Sequence, residues 1–87
     1  MASYSVFLKR SAAGELEVIA DVEDRRRIVD RIRSLSRDPR PIGSVKLAGR
    51  EDRLRVRQGE YRIVYKVDDR DATVMIVKIG HRRDVHR

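Results

Sequence analysis

The residues of this chain that are best suited to chemistry are arginines, three of which alternate with apolar residues on one predicted strand. Alternation on a β-strand puts every second side chain on the same face, so Leu54 and Val56 share one face. The opposite face carries Arg53, Arg55 and Arg57, within about 14 Å at a rise of about 3.4 Å per residue. Their mutual repulsion costs stability unless an anion lies across them. This face therefore predicts a site for a phosphate or another polyanion.

Further cations follow at the ends of the next predicted strands. Arg62 comes just after a predicted hairpin turn, and Arg82 and Arg83 follow the last predicted strand. If the last strand pairs beside the strand of Arg62, all of these side chains can converge on one concave surface.

The charge of the chain is positive and lies mostly in its second half. The 87 residues include 21 Lys and Arg against 14 Asp and Glu, a net charge of +7. Residues 1–44 carry a net charge of +2 and residues 45–87 one of +5, and arginine accounts for 17 of the cations. Such an excess indicates a polyanionic partner, either nucleic acid or an acidic protein; the alternative is an arginine-rich but merely well-solvated surface.

The composition excludes several classes of protein. With 40% apolar and 40% charged residues, the chain is too apolar for a disordered tail and too charged for a membrane span. The absence of Cys excludes disulfides and thiolate metal sites, and two His make a zinc site a poor expectation. No signal peptide and no glycine-rich phosphate loop is visible. We expect one cytoplasmic domain over residues 1–87, with no cofactor, no metal and no membrane association.

The elements that must position the arginines follow from hydrophobic periodicity. Residues 4–8 alternate and predict a first strand. Helical spacing then appears twice, first in a short helix with Ser11 as its N-cap and next over residues 22–36. Pro39 and Pro41 end the second helix. The buried faces of the two helices are predicted to carry Ala12, Leu16, Ile19, Ile28, Ile32 and Leu35.

Three strands follow, over residues 54–58, 61–67 and 73–79, joined by a tight turn at Gly59-Glu60 and an acidic turn. The last of them is the most apolar and is predicted to be central. The order β-α-α-β-β-β predicts a two-layer α+β fold, an antiparallel sheet with both N-terminal helices on one face. Tyr61 and Tyr65 are expected to pack against the helices.

Six short motifs, in this order, resemble the RelE/ParE family of bacterial and archaeal toxins, particularly the RelE-type mRNA interferases. The resemblance covers essentially the whole chain and implies the toxin of a type II toxin–antitoxin system. Besides the opening strand, the motifs are SAAGEL at 11–16, SRDPRP at 36–41, KLAG at 46–49, GEYRIVY at 59–65 and GHRRDV at 80–85.

The resemblance implies an endoribonuclease that cuts messenger RNA in the ribosomal A site. A ribose 2′-OH attacks the adjacent phosphate, which needs positive charge and proton transfer but no metal. The implied partners are messenger RNA, the ribosome with its small-subunit RNA, and a cognate antitoxin, RelB-like or of another family. Operator DNA is an implied partner of the toxin–antitoxin complex alone. Two alternatives remain: a ParE-like toxin that binds DNA gyrase without nuclease chemistry, and an inactive member that acts as a co-repressor.

The family motifs also imply roles for individual residues. The basic pair of the family falls on Arg53 and Arg55, its phosphate-stabilising arginine on Arg62, and the arginine after the last strand's glycine on Arg82. Where the best-known branch has lysines the pair is arginine, a poor base but a good phosphate clamp. His86 replaces a tyrosine near the C-terminus, and an imidazole suits proton transfer near neutral pH.

We therefore expect two sets of site residues. The catalytic set is Arg55, Arg62, Arg82 and His86. The set that binds RNA or phosphate is Lys46, Arg53, Arg57, His81 and Arg83.

Overall fold

The structure, a computed structural model, describes residues 3–83, with the side chain of Glu51 outside that description. Two helices cover one face of a five-stranded sheet, whose strand order is β1-β5-β4-β3-β2. This arrangement confirms the predicted α+β class. In chain order the elements are β1 (Ser5–Leu8), α1 (Arg10–Glu17), α2 (Val22–Ser34), β2 (Val45–Leu47), β3 (Arg50–Gln58), β4 (Tyr61–Asp68) and β5 (Thr73–His81).

The sheet differs from the prediction in two ways. The predicted order lacks β2, a three-residue edge strand that is too short to show alternation and whose register with β3 is broken after Lys46. The predicted sheet was wholly antiparallel, whereas β1 pairs with β5 in parallel. The connection from β1 to β5 spans most of the chain, so no local turn signals this pairing. The central place of β5, between β1 and β4, is confirmed.

The helix boundaries in the structure also differ from those that the sequence predicts. Ser11 is not the N-cap of α1, because the helix begins at Arg10 and Lys9 takes that position without a side-chain hydrogen bond. The Lys9 amide donates to the Ile76 carbonyl at 2.9 Å, so strand pairing runs directly into the helix and leaves no room for a capping residue. Helix α2 begins after Asp21, whose side chain accepts from the Asp24 amide, and it ends two residues earlier than predicted.

The core lies between the helices and the covered face of the sheet. The predicted contacts of α2 are confirmed by Ile28 and Leu35, which are fully buried against sheet residues such as Ile63 and Ile76. Each such side chain contributes about 1.5–3 kcal/mol when it leaves water. Tyr65 is fully buried in this layer, as expected. The face beyond the core has no helix on it within residues 3–83.

Helix α1 holds the end of β5 that leads to Arg82. Strand β1 pairs with β5 only as far as Ile76, which leaves the edge of β5 without a strand neighbour beyond that point. The carboxylate of Glu15 takes this place, accepting from the Ile79 amide at 2.8 Å and from the Lys78 ammonium at 2.9 Å.

Two contacts fix the segment after α2 to the sheet. The Tyr65 hydroxyl donates to the Pro39 carbonyl at 2.7 Å. Outside the core, both oxygens of Asp69 accept from the Arg40 guanidinium at 3.0 Å, and the Tyr4 hydroxyl donates to the same carboxylate. The turn between β4 and β5 is therefore joined both to the residue that precedes β1 and to the proline segment. No helix within residues 3–83 is long and apolar enough to cross a membrane.

Replacing Tyr65 by Phe should lower the free energy of unfolding by about 1–3 kcal/mol, because the buried Pro39 carbonyl loses its donor. Denaturant unfolding measures this loss. Tyr4→Phe is the matched control, since it removes a hydroxyl whose acceptor, Asp69, stays exposed and can bind water. An equal or larger loss in Tyr4→Phe would contradict this assignment.

Replacing Asp69 by Asn should lower the melting temperature at neutral pH, and the difference should shrink in acid. Hydrogen bonds from Arg40, then from Tyr4, lower the pKa of the Asp69 carboxyl. A lowered folded-state pKa stabilises the protein above the ordinary Asp value of about 3.9, and this contribution is lost as the pH falls through the lowered pKa. Melting curves at neutral pH and at pH about 2 measure the effect.

The matched control is Asp71→Asn in the same turn, whose carboxylate has no hydrogen-bond partner among the described residues. A destabilisation by Asp69→Asn that is independent of pH would contradict the assignment.

Candidate functional site

The predicted row of arginines lies on the face of the sheet opposite the helices. Leu54 and Val56 are buried on the helix side, so Arg53, Arg55 and Arg57 project from the other face of β3. The adjacent strand is in register. Arg57 lies opposite Arg62 of β4, which therefore shares the same open face. The sheet thus brings these cations together as the alternation predicted.

The open face contains a cavity of about 630 Å³, which we call the basic groove. Apolar residues contribute to its lining, together with cations from β3, β4, β5 and the N-cap of α1. The lining residues are Lys9, Leu47, Ala48, Arg50, Arg53, Arg55, Arg62, Val64, Val77 and Lys78.

A second cavity, of about 310 Å³, adjoins the basic groove at Arg62, which lines both. We call it the turn cavity, because the turn between β3 and β4 forms one side of it. Arg82 reaches this cavity because its amide donates to the Glu60 carbonyl at 2.7 Å, extending the pairing of β5 with β4. Its lining residues are Arg57, Gly59, Glu60, Tyr61, Arg62 and Arg82.

Arg62 is the most confined cation of the site. It is only 9% exposed and is the one buried charged residue among those that the structure describes. The Nε atoms of Arg53, Arg55 and Arg62 are buried and have no hydrogen-bond partner among the described atoms. Burial of a cation is costly unless an anion compensates it, so this arrangement is suited to a bound anion.

The like charges act on one another as well. The pKa of the Arg55 guanidinium is lowered, first by its burial and then by the charges of Arg62 and Arg57. An arginine nevertheless stays protonated at any physiological pH. These side chains can therefore bind a phosphodiester and neutralise charge that develops on it, but they cannot accept a proton.

Three other predicted site residues do not join this cluster. Lys46 lies opposite Leu54 on the edge strand β2, so its side chain starts from the helix side of the sheet. Arg83 is exposed and lines neither cavity. His86 lies outside the described residues.

His81 is also on the helix side of the sheet. It pairs with Tyr61, and the two rings meet edge to face with their centroids 5.5 Å apart. It lines a cavity with Glu15 of α1, on the opposite side of β5 from the arginines. The structure thus separates His81 from the residues with which the sequence analysis grouped it.

The sequence analysis missed four charged residues that line the cavities: Lys9, Arg50, Lys78 and Glu60. Lys78 lies within the most apolar run of the chain, and a shift of register opposite Val64 brings it to the groove. No local pattern signals that shift. Glu60 could have been found from the sequence, because it lies two residues before Arg62 in the same GEYRIVY motif, immediately before β4 begins. Within the described residues, no group of His, Asp and Glu could hold a metal ion.

Comparisons with known proteins agree with this architecture. The family model for the ParE toxin of type II toxin–antitoxin systems matches residues 6–86. Toxin RelG of Mycobacterium tuberculosis is 36% identical over 53 residues. That match covers 61% of this chain and 61% of RelG, so it spans less than two thirds of either protein.

Two solved toxin–antitoxin complexes contain chains of similar structure. The RelBE2 complex of Mycobacterium tuberculosis matches 92% of this chain and 99% of its own, with a TM-score of 0.81 and 26% identity. The RelE–RelB complex of Pyrococcus horikoshii matches 95% and 99%, also with a TM-score of 0.81 and 26% identity. Together with the family model, these likenesses show that the chain belongs to the RelE/ParE family, as a toxin of a type II toxin–antitoxin system.

Proposed function

We propose that this toxin is a metal-independent endoribonuclease that cleaves messenger RNA in the ribosomal A site. The observation that carries the proposal is the burial of Arg62 between two cavities whose linings include six and three cations, respectively. A surface that only needs to be soluble would not confine several guanidinium groups on one face without anions. A phosphodiester provides the missing charge.

In the proposed reaction, the ribose 2′-OH attacks the adjacent phosphorus, and the 5′-oxygen leaves. Arg62 and Arg55 bind the scissile phosphate and neutralise the charge that develops on the phosphorane. Arg82 contacts the same phosphate from the turn cavity, while Arg53 and Arg57 hold the flanking backbone. Guanidinium groups suit this role because they present several fixed donors to phosphate oxygens.

Three further cations of the basic groove extend the proposed RNA surface. Lys9, Arg50 and Lys78 line it beyond the scissile phosphate. The groove crosses neighbouring strands at about 4.8 Å each, so it is wide enough for more than one nucleotide. Three residues that the sequence assigned to RNA binding have no role in the proposed mechanism. Lys46 and His81 lie on the helix side of the sheet, and Arg83 lines neither cavity.

The proposed partner in the resting cell is a RelB-like antitoxin. RelB-type antitoxins accompany the toxins in both solved complexes described above. Neutralising this open face requires an acidic or amphipathic segment, because the exposed side chains there combine cations with Phe7 and Met75. We propose that the toxin–antitoxin complex binds operator DNA, and that the toxin binds the ribosome when it is free of antitoxin.

Replacing Arg62 by Ala should relieve the growth arrest that expression of the toxin causes. The loss of one preorganised hydrogen-bond donor to the charge that develops in the transition state lowers the catalytic rate by about 10²–10³-fold. Primer extension on cellular messenger RNA after induction measures the cleavage, its position in the codon and its dependence on translation.

Arg70→Ala is the matched control, because Arg70 is exposed in the turn between β4 and β5 and lines neither cavity. Full toxicity of Arg62→Ala would contradict the proposal. The gyrase-binding alternative predicts a DNA-damage response with messenger RNA intact. If the protein is instead an inactive co-repressor, expression of the wild-type protein should cause no growth arrest.

Replacing His86 by Ala should also slow cleavage, because we propose that its imidazolium donates the proton to the leaving 5′-oxygen. General acid catalysis contributes about 10²–10⁴ in rate. The cleavage rate of the wild type should fall as the pH rises above about 6.5, and this alkaline fall should be absent in His86→Ala. A pH–rate profile that is the same in both proteins would contradict the role.

A further inference from the structure

The proposed cleavage needs a group that accepts the 2′-OH proton, and the described arginines cannot supply it. Arginine stays protonated at the pH of the cell. His81, the imidazole within the described residues, lies on the helix side of the sheet beside Tyr61. Attack by the 2′-OH therefore requires a titratable group on the arginine face to accept its proton.

Glu60 is in the right place for this role. Of the side chains that the structure describes, it is the only carboxylate lining either cavity to which Arg62 contributes. Its Oε1 atom lies 2.8 Å from Nε of Arg82, and its carbonyl oxygen accepts from the Arg82 amide. Both contacts fix its position. The side chain remains 61% exposed, so a substrate can reach it.

We propose that Glu60 is the general base of the reaction, an inference that rests on the proposed ribonuclease function. The Glu60 carboxylate takes the proton of the 2′-OH, and the 2′-oxygen forms a bond to the adjacent phosphorus. The bond from phosphorus to the 5′-oxygen breaks, and that oxygen takes a proton from the general acid of the reaction. The products are a 2′,3′-cyclic phosphate and a 5′-hydroxyl, so atoms and charge balance without a further reactant.

The charges around Glu60 are compatible with this role. Arg82 after β5, Arg62 on β4 and Arg57 on β3 line the same cavity as Glu60. A phosphodiester bound by these arginines compensates their charge and lies in the cavity that the Glu60 carboxylate lines.

Glu60→Gln tests the proposal, because the amide oxygen can still accept the hydrogen bond from Arg82 but cannot take a proton. The purified variant is assayed on programmed ribosomes and on free RNA, and an RNA with a 2′-deoxy nucleotide at the cleavage position measures binding without reaction. We expect cleavage to fall about 10²–10⁴-fold. Binding of the 2′-deoxy RNA should not weaken, and the acidic limb of the wild-type pH–rate profile should be absent.

Glu23→Gln is the matched control. Glu23 forms an ion pair of the same length, 2.8 Å, with Arg26 on the exposed side of α2, so it tests the loss of a surface carboxylate elsewhere. It should cleave RNA as the wild type does.

Two results would overturn the inference, and they are distinguishable. Wild-type cleavage by Glu60→Gln, with a loss only in Glu60→Ala, would show that Glu60 merely positions Arg82. If the wild-type toxin cleaves neither substrate, the ribonuclease function itself is wrong.

Discussion

The confinement of like charges on the open face of the sheet is the constraint on which the rest of the structure depends. Arg62 is buried, and the pKa of the Arg55 guanidinium is lowered by its burial and then by the charges of Arg62 and Arg57. Repulsion of this kind would open a loosely packed sheet. The opposite face prevents it, because Ile63 and Tyr65 of the same strand are fully buried on the helix side of the sheet. One strand thus contributes both to the core and to the proposed RNA-binding surface.

The separation of a core face from an open, cationic face also bears on the contacts that stabilise the edges of the sheet. Beyond Ile76, β5 has no strand on its outer side, and Glu15 of α1 replaces the missing partner. At the other end of the strand, Asp69 joins the preceding turn to Arg40 and Tyr4. Both contacts use carboxylates from outside the open face. These acidic residues therefore stabilise the edges of the sheet. Among the side chains that the structure describes, no carboxylate lines the basic groove.

Local patterns were sufficient for the features that depend on alternation and turns. They predicted both helices, the meander of β3 to β5 and the shared face of Arg53, Arg55 and Arg57. They failed where two distant segments meet. The parallel pairing of β1 with β5 and the register shift that brings Lys78 to the groove depend on tertiary contacts. His81 was grouped with the arginines because it adjoins Arg82 in sequence, but adjacent residues of a strand point to opposite faces.

That alternation also bears on how the proposed chemistry is divided. Arg62 pairs with Gly80 on the open face, and the hydrogen bond from the Arg82 amide to the Glu60 carbonyl extends this pairing beyond the strands. Glu60 and Arg82 therefore line the same cavity, whereas His81 lies on the helix side with Tyr61. An arginine-only phosphate clamp has a charge that does not change with pH. Any pH dependence of the proposed reaction must therefore come from the groups that move protons. A clamp of arginines with a separate acid and base differs physically from a clamp of lysines. The pKa of a lysine shifts readily on burial, so a lysine can both bind the phosphate and transfer a proton.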